Sequence, residues 1–103
     1  MKWEDVTSYR QGERGKVAQT AWQATVGGVT LWVSCGHIDY RGSWVMRCRD
    51  LGLDLVPLGI MDGASSEEAR DKSVELAWEK AGLLAAEMTG AAGALFSTPN
   101  LSP

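Results

Sequence analysis

The sequence is poor in cysteine, proline and histidine, with two, three and one of these residues in a chain of 103. Small secreted domains usually carry several disulfide bridges, so two cysteines favour a reducing compartment in which both thiols stay free. No N-terminal stretch joins a basic start to an apolar run, and no apolar run approaches the ~20 residues that span a bilayer. We therefore expect a cytoplasmic protein that has no membrane segment.

Residue patterns for catalysis and for cofactor binding are also lacking. The glycines do not have the spacing of a dinucleotide-binding loop or a P-loop. His37 lies between Cys35 and Asp39, which suggests a nucleophile with its base, but Cys35 falls on the core side of the predicted sheet, where a thiol is inert. Cys35, His37 and Cys48 can supply three zinc ligands, but the paired Cys-x-x-Cys clips of structural zinc sites are missing. We expect no enzyme activity, no metal and no other cofactor.

Charge is unevenly distributed along the chain, although the net charge is only −3. Residues 1–50 carry seven Lys and Arg against five Asp and Glu, which leaves +2. Residues 51–103 carry three against eight, which leaves −5. Neither half has the clustered basic residues that are typical of nucleic-acid-binding domains.

The strongest local pattern is a β-hairpin over residues 18–35, because two strand-like runs flank Gly27-Gly28, a pair suited to a two-residue turn. That turn pairs Val26 with Val29, Ala24 with Leu31 and Trp22 with Val33 on one apolar face. The other face then carries Thr25 opposite Thr30, Gln23 opposite Trp32 and Ala21 opposite Ser34. A one-residue slip would destroy this match, so the sequence specifies the register.

Further strands are predicted on both sides of the hairpin. Residues 2–9 are rich in β-branched and aromatic types and predict a first strand, followed by an exposed loop over residues 10–16. In residues 43–49, Trp44, Met46 and Cys48 alternate with arginines and belong in the core. Residues 51–61 contain Pro57 and two glycines, so any strand there is short and at an edge.

A long helix follows the strands. Ser65 with Glu68 three residues later is a capping box, and the helix formers continue to Thr89, where Gly90 supplies a stop. Its apolar residues recur at helical spacing and predict the stripe that covers the sheet: Val74, Ala77, Trp78, Ala81, Leu84, Ala85 and Met88.

Strands followed by one helix predict an α+β fold, in which an antiparallel sheet of four or five strands packs on one long C-terminal helix. We expect residues 1–90 to form a single domain and residues 91–103 a flexible C-terminal tail.

Three surfaces remain for binding a partner. The first is the outer sheet face, the second the pair of loops over residues 10–16 and 37–42, and the third an apolar seam on the helix back, with Ala69 in the same row, that would serve a dimer or a basic partner. Their predicted partner-binding residues are Trp32, Arg47 and Arg49 on the sheet, Tyr40 and Arg41 in the second loop, and Leu76 and Leu83 on the helix.

Several short stretches resemble small phage and prophage proteins of unknown role, over about residues 3–88. They are Trp3-x-x-Val6-Thr7-Ser8-Tyr9, His37-Ile38-Asp39-Tyr40, Ser43-Trp44-Val45-Met46 and the helix start Glu68-Ala69. None of them is chemically diagnostic. In size, acidity and build the chain is also similar to the anti-CRISPR proteins, which bind a bacterial immune effector and block it. That class shares no sequence signature, so the similarity is one of type, and no functional residue is carried over.

The resemblance implies a phage-type inhibitory or accessory protein of the host-cell cytoplasm, whose partner is a host protein or ribonucleoprotein complex such as a CRISPR-Cas effector. The alternative is a small nucleic-acid-binding module that uses the basic outer face of the sheet. A third hypothesis is a homodimer that pairs through Leu76 and Leu83.

Overall fold

The computed structural model of the protein describes residues 1–10, 12, 15 and 18–97. Within these ranges the chain forms five strands, one α-helix and two short 3₁₀ turns, at Ile38–Tyr40 and Arg49–Leu51. The strands and the helix are β1 (Glu4–Asp5), β2 (Ala21–Val26), β3 (Val29–Ser34), β4 (Ser43–Cys48), β5 (Leu53–Met61) and α1 (Ser66–Ser97). Each strand pairs antiparallel with the next, in the order β1-β2-β3-β4-β5. The sheet packs against α1, which confirms the predicted α+β class.

The β2–β3 hairpin has the register that the sequence predicts. All six predicted pairs are observed, from Val26 opposite Val29 to Ala21 opposite Ser34. Gly27 and Gly28 both have positive φ, at 58° and 79°. A two-residue turn of this kind needs positive φ at both positions, which glycine adopts without steric cost.

The centre of the sheet supplies most of the core. Leu31 and Val33 from β3, and Trp44, Met46 and Cys48 from β4, are buried in one cluster. The core assignment of the three β4 residues is therefore confirmed.

The two outer strands differ from their predictions. The first strand is only two residues long: after it the Val6 backbone N–H donates to the Ala21 carbonyl oxygen at 3.0 Å, and the Thr7 side chain then holds the segment to β2. The fifth lies at the edge as expected but has nine residues, so the prediction of a short strand is wrong. It accommodates Pro57 through irregular pairing with β4. The loop predicted over residues 10–16 lies mostly outside the described residues.

The start of α1 is confirmed. The Ser65 hydroxyl oxygen accepts a hydrogen bond from the Glu67 backbone N–H at 3.1 Å, and the helix begins at Ser66. A side-chain oxygen at this position satisfies one of the backbone donors that the first turn of a helix leaves unpaired.

Helix α1 contacts the sheet through small side chains. Ala69, Ser73 and Ala77 are buried, and Leu76 packs against the same core. The Ser73 hydroxyl donates to the Arg70 carbonyl oxygen at 2.7 Å, so its burial leaves no unpaired hydroxyl. Alanine and serine let the helix backbone approach the sheet closely, which favours this face over a bulkier one.

The predicted helix stripe is therefore partly wrong. Ala77 is buried and Val74 packs against the core, but Trp78 is 78% exposed and Met88 71% exposed. The predicted stripe follows the helical spacing of apolar residues, whereas the sheet packs on a face centred on Ser73, about 140° around the helix from Trp78.

The helix does not stop at Gly90. It continues to Ser97, so residues 91–97, assigned to the flexible tail, are helical. Residues 98–103 lie outside the described residues. Every described side chain from Ala85 to Leu95 is exposed, and the molecule measures 65 × 23 × 22 Å. The second half of the helix therefore projects beyond the sheet. Across the described residues, no helix is both long enough and apolar enough to cross a bilayer.

Candidate binding face

The outer face of the sheet, opposite α1, brings Gln23, Trp32 and Arg47 side by side on three strands. Gln23 lies opposite Trp32 and Trp32 opposite Arg47. Cross-strand partners share one face of a sheet, so these side chains form a row. The guanidinium carbon of Arg47 is 5.0 Å from the centre of the Trp32 ring, within cation–π range. The structure thus brings together two of the residues predicted to bind a partner.

Two aspartates lie among the arginines of this face, and one of them pairs with Arg47. Arg47 Nε donates to Asp54 Oδ1 at 2.6 Å, and Asp50 Oδ2 accepts from the Thr30 backbone N–H at 2.9 Å. The bond to Asp50 satisfies a backbone donor of β3 that has no partner on β4, because β4 ends at Cys48. Arg47, Arg49, Asp50 and Asp54 carry a formal charge of zero together. The outer face is therefore mixed in charge, and its description as basic is wrong.

The sequence contains a signal for this neutralisation. Cys48 lies opposite Leu53 across the turn at Gly52, and the residues next to them, Arg47 and Asp54, bond through their side chains. A tight turn centred on Gly52 would have predicted this cross-strand ion pair. The prediction missed it because residues 51–61 were not assigned a register.

Trp32 lies between two depressions in the surface. One has a volume of 500 Å³ and is lined by Gln23, Thr30, Trp32, Arg47, Arg49 and Asp50. The other, of 330 Å³, is lined by Val6, Ser8, Thr20, Ala21, Trp32, Ser34, Gly36, His37 and Ile38. An indole that forms a wall of both depressions can contact side chains of a partner on both sides. Arg49 lines the first depression and is exposed, as expected.

The loop residues Tyr40 and Arg41 lie apart from these depressions. Tyr40 ends the 3₁₀ turn, and its ring centre is 6.0 Å from that of His37. His37 Nδ1 accepts a hydrogen bond from the Asp39 backbone N–H at 3.1 Å, which caps the turn. Only His37 and Ile38 of this loop line the second depression. Whether Tyr40 and Arg41 contact a partner stays a prediction.

The predicted helix seam is not present as one surface. Leu83 is 61% exposed, but Leu76 is half-buried and packs against the hydrophobic core. Ala69 is buried, so it is wrongly placed on the helix back. Leu76 is wrongly placed there too, because the sheet covers a different face of α1 from the predicted one. It cannot form an exposed seam with Leu83.

The solvent side of the first half of α1 is acidic instead. Four exposed carboxylates recur at helical spacing and form an acidic stripe: Glu68, Asp71, Glu75 and Glu79. Glu75 is 3.6 Å from the Lys72 ammonium, three residues earlier. The stripe lies on the side of the helix turned away from the sheet, so it is separate from the depressions beside Trp32.

The residues considered for catalysis lie on opposite sides of the sheet. Cys35 packs against the core and His37 lines the outer depression. Burial raises the pKa of the Cys35 thiol, and the nearby Asp62 carboxylate raises it further. Cys48 is buried, burial raises its pKa as well, and both cysteines are free. A thiol with a raised pKa is a poor nucleophile at neutral pH. Among the described residues, no three His, Cys, Asp or Glu side chains are grouped to hold a metal ion.

The chain matches no protein-family model, no curated protein and no solved structure.

Proposed function

We propose that the protein is a binding protein whose outer sheet face docks on another protein. The observation that carries this proposal is the position of Trp32, which forms a wall of two depressions and stacks with Arg47. Tryptophan and arginine are the residue types most enriched among those that dominate interface affinity. The adjacent polar groups, Gln23 and Thr30, suit the hydrogen-bonding rim of such an interface.

The mixed charge of this face favours a protein partner over nucleic acid. Nucleic-acid affinity depends on Lys and Arg that neutralise phosphates. Here the Arg47 guanidinium already pairs with Asp54, and Asp50 stands beside Arg49. The acidic stripe of α1 adds further repulsion toward phosphates.

The resemblance to phage proteins gives the class of partner to test first. A small, acidic sheet-and-helix protein of this type inhibits or assists by docking on a host protein or ribonucleoprotein complex, such as a CRISPR-Cas effector, in the host cytoplasm. The acidic stripe supports this choice, because an acidic helix can occupy a basic channel built for nucleic acid.

The effect of Trp32→Ala tests the proposal. Immobilised wild-type protein is incubated with bacterial lysates that contain such complexes, and the proteins retained are identified and their affinities measured. We expect the substitution to weaken the principal partner about 30-fold or more, since truncating an interface-dominating residue costs about 2 kcal/mol or more. Met61→Ala is the matched control, because Met61 is an exposed apolar residue on the edge strand. It should leave the affinity unchanged.

Two outcomes would overturn the proposal. One is a partner that binds wild type and Trp32→Ala equally, provided that circular dichroism shows both chains folded. The other is salt-sensitive binding of DNA or RNA in a gel-shift assay that is lost in the double variant Arg47→Ala and Arg49→Ala. That second result would favour the nucleic-acid-binding alternative instead.

A further inference from the structure

The projecting half of α1 carries an unbroken apolar ridge. It consists of Trp78, Ala81, Ala85, Met88, Ala92 and Leu95, and all six are exposed. The intervals between them alternate three, four, three, four and three residues, which is the seam spacing of a coiled coil. Trp78, Met88 and Leu95 are 78%, 71% and 58% exposed. The ridge lies to the side of the sheet-packing face, so the sheet leaves it accessible.

Within the part of the chain that the structure describes, this part of the helix has no support from other elements. Its described side chains, from Ala85 to Leu95, are exposed, and it contains Gly90 and Gly93, which are weak helix formers. Most helical stability in proteins comes from packing of an apolar face, and short unpacked helices are marginal in water. A helix that stays regular to Ser97 therefore needs a partner along the ridge.

The positions beside the ridge define that partner. Gly82 and Thr89 lie on one side of the ridge, and Leu84 and Ala91 lie on the other. None of the four is charged, and most are small enough to allow close approach of a second helix. Between Ala81 and Ser97 the only charged residue is Glu87. A surface that complements the ridge must be equally apolar and uncharged. The ridge of a second copy of the chain has both properties. The absence of Lys and Arg in this segment disfavours docking on an anionic membrane surface.

We propose that two copies of the chain associate through the ridge as an antiparallel helix pair. An antiparallel arrangement sets Trp78 against Leu95 of the second copy, Ala81 against its Ala92, and Ala85 against its Met88. A parallel pair would instead oppose the two Trp78 rings and have three layers of alanine against alanine, whereas the antiparallel pair has two. The opposed helix dipoles also favour the antiparallel pair.

The area of the ridge shows whether it is large enough for a specific pair. One tryptophan and two long aliphatic side chains, with their alanines, bury on the order of 500 Å² per copy. The pair then buries about 1,000 Å², near the lower limit for a specific interface. We therefore expect a dissociation constant in the micromolar range. This dimer is independent of the partner proposed for the outer sheet face, since it uses a different surface.

Sedimentation velocity over a range of protein concentrations tests the proposal. We expect the mass to rise from that of the 11.1 kDa chain toward twice that value, with helical circular dichroism rising in parallel. Met88→Glu places a charge at the centre of the ridge and should leave the chain monomeric. Leu83→Glu introduces the same charge at an exposed position on the opposite side of the helix, and this control should still dimerise.

Disulfide trapping tests the orientation in chains whose Cys35 is replaced by serine. A mixture of the Ala81→Cys and Ala92→Cys chains should form the mixed disulfide, whereas either chain alone should not cross-link efficiently. Efficient cross-linking of either chain with itself would overturn the antiparallel arrangement. A chain that stays monomeric at all concentrations, or a dimer lost in Leu83→Glu but kept in Met88→Glu, would overturn the ridge as the interface. None of these three results bears on the binding of a partner through Trp32.

Discussion

Replacing Trp44 by alanine is expected to lower the free energy of unfolding by about 3–5 kcal/mol, as removal of a large core aromatic does. Trp44 is 2% exposed and packs in the cluster with Leu31 and Met46. The substitution removes the transfer free energy of the indole and leaves a cavity between the sheet and α1. Since a domain of this size has only about 5–15 kcal/mol of stability, the variant will be close to unfolding.

Trp44→Phe keeps the experiment informative if the alanine variant does not fold. The Trp44 indole N–H is buried and has no hydrogen-bond partner among the described residues. Phenylalanine removes that unpaired donor along with part of the volume, so the two effects partly offset each other. We expect a loss of about 1–2 kcal/mol, well below that of alanine.

Trp78→Ala is the matched control, measured in dilute solution so that self-association does not contribute. The same atoms are removed from a largely exposed side chain, and surface substitutions usually change stability by less than ~0.5 kcal/mol. Urea unfolding followed by circular dichroism gives all three values. A larger loss for Trp78→Ala than for Trp44→Ala would mean that the helix packs on the sheet through the face first predicted from its large residues.

Thr7→Val is expected to lower the free energy of unfolding by about 2 kcal/mol, because the Thr7 hydroxyl joins the N-terminal segment to the start of β2. Its oxygen accepts from the Thr20 and Ala21 backbone N–H groups at 2.9 and 3.1 Å. It also donates to Asp5 Oδ1 at 2.6 Å. Valine has nearly the same shape but leaves two strand donors unpaired, so the loss reports hydrogen bonding and not packing.

Thr7→Ser separates the hydroxyl from the methyl group. Serine retains the oxygen and should restore all but about 1 kcal/mol of the stability lost in the valine variant. Amide exchange at Thr20 and Ala21 should quicken in Thr7→Val and not in Thr7→Ser. If valine is tolerated as well as serine, the hydroxyl does not hold these two donors.

The hairpin and the helix start could be predicted because both depend on local rules. The period of two in residues 18–35, with glycines at the turn, admits one register that keeps a single apolar face. Likewise, Ser65 caps the first turn of α1 through its own neighbours. In both cases the determining contacts lie close together in the sequence.

The face of α1 that meets the sheet could not be predicted in the same way. The helix has apolar residues on more than one side, and its two candidate faces differ mainly in size: Ala69, Ser73 and Ala77 against Trp78 and Met88. Which one is buried depends on how closely the helix can approach Leu31, Trp44 and Met46, which is a property of the assembled layers. The same error placed Leu76 on the solvent side.

The sequence pattern predicts the central residues of the candidate binding face but not the mixed charge of that face. Trp32 and Arg47 follow from the hairpin register and strand alternation, which are local patterns. Asp54 joins them only once β5 is paired with β4, and that pairing is irregular between Met46 and Cys48, beside Arg47. A tight turn at Gly52 indicates the Arg47–Asp54 pair, but a hydrophobicity pattern alone does not, because it leaves the register of β5 open.

The central feature of the molecule is a helix whose first half shares one interior with the sheet while its second half stands outside it. Amide hydrogen exchange of the monomer, measured in dilute solution, tests this division directly. Amides around Ala69–Ala77 should exchange as slowly as those of β3 and β4, and amides around Ala85–Leu95 should exchange orders of magnitude faster. Equal, slow exchange along the whole helix in the monomer would contradict it, because the second half would then be covered by its own chain.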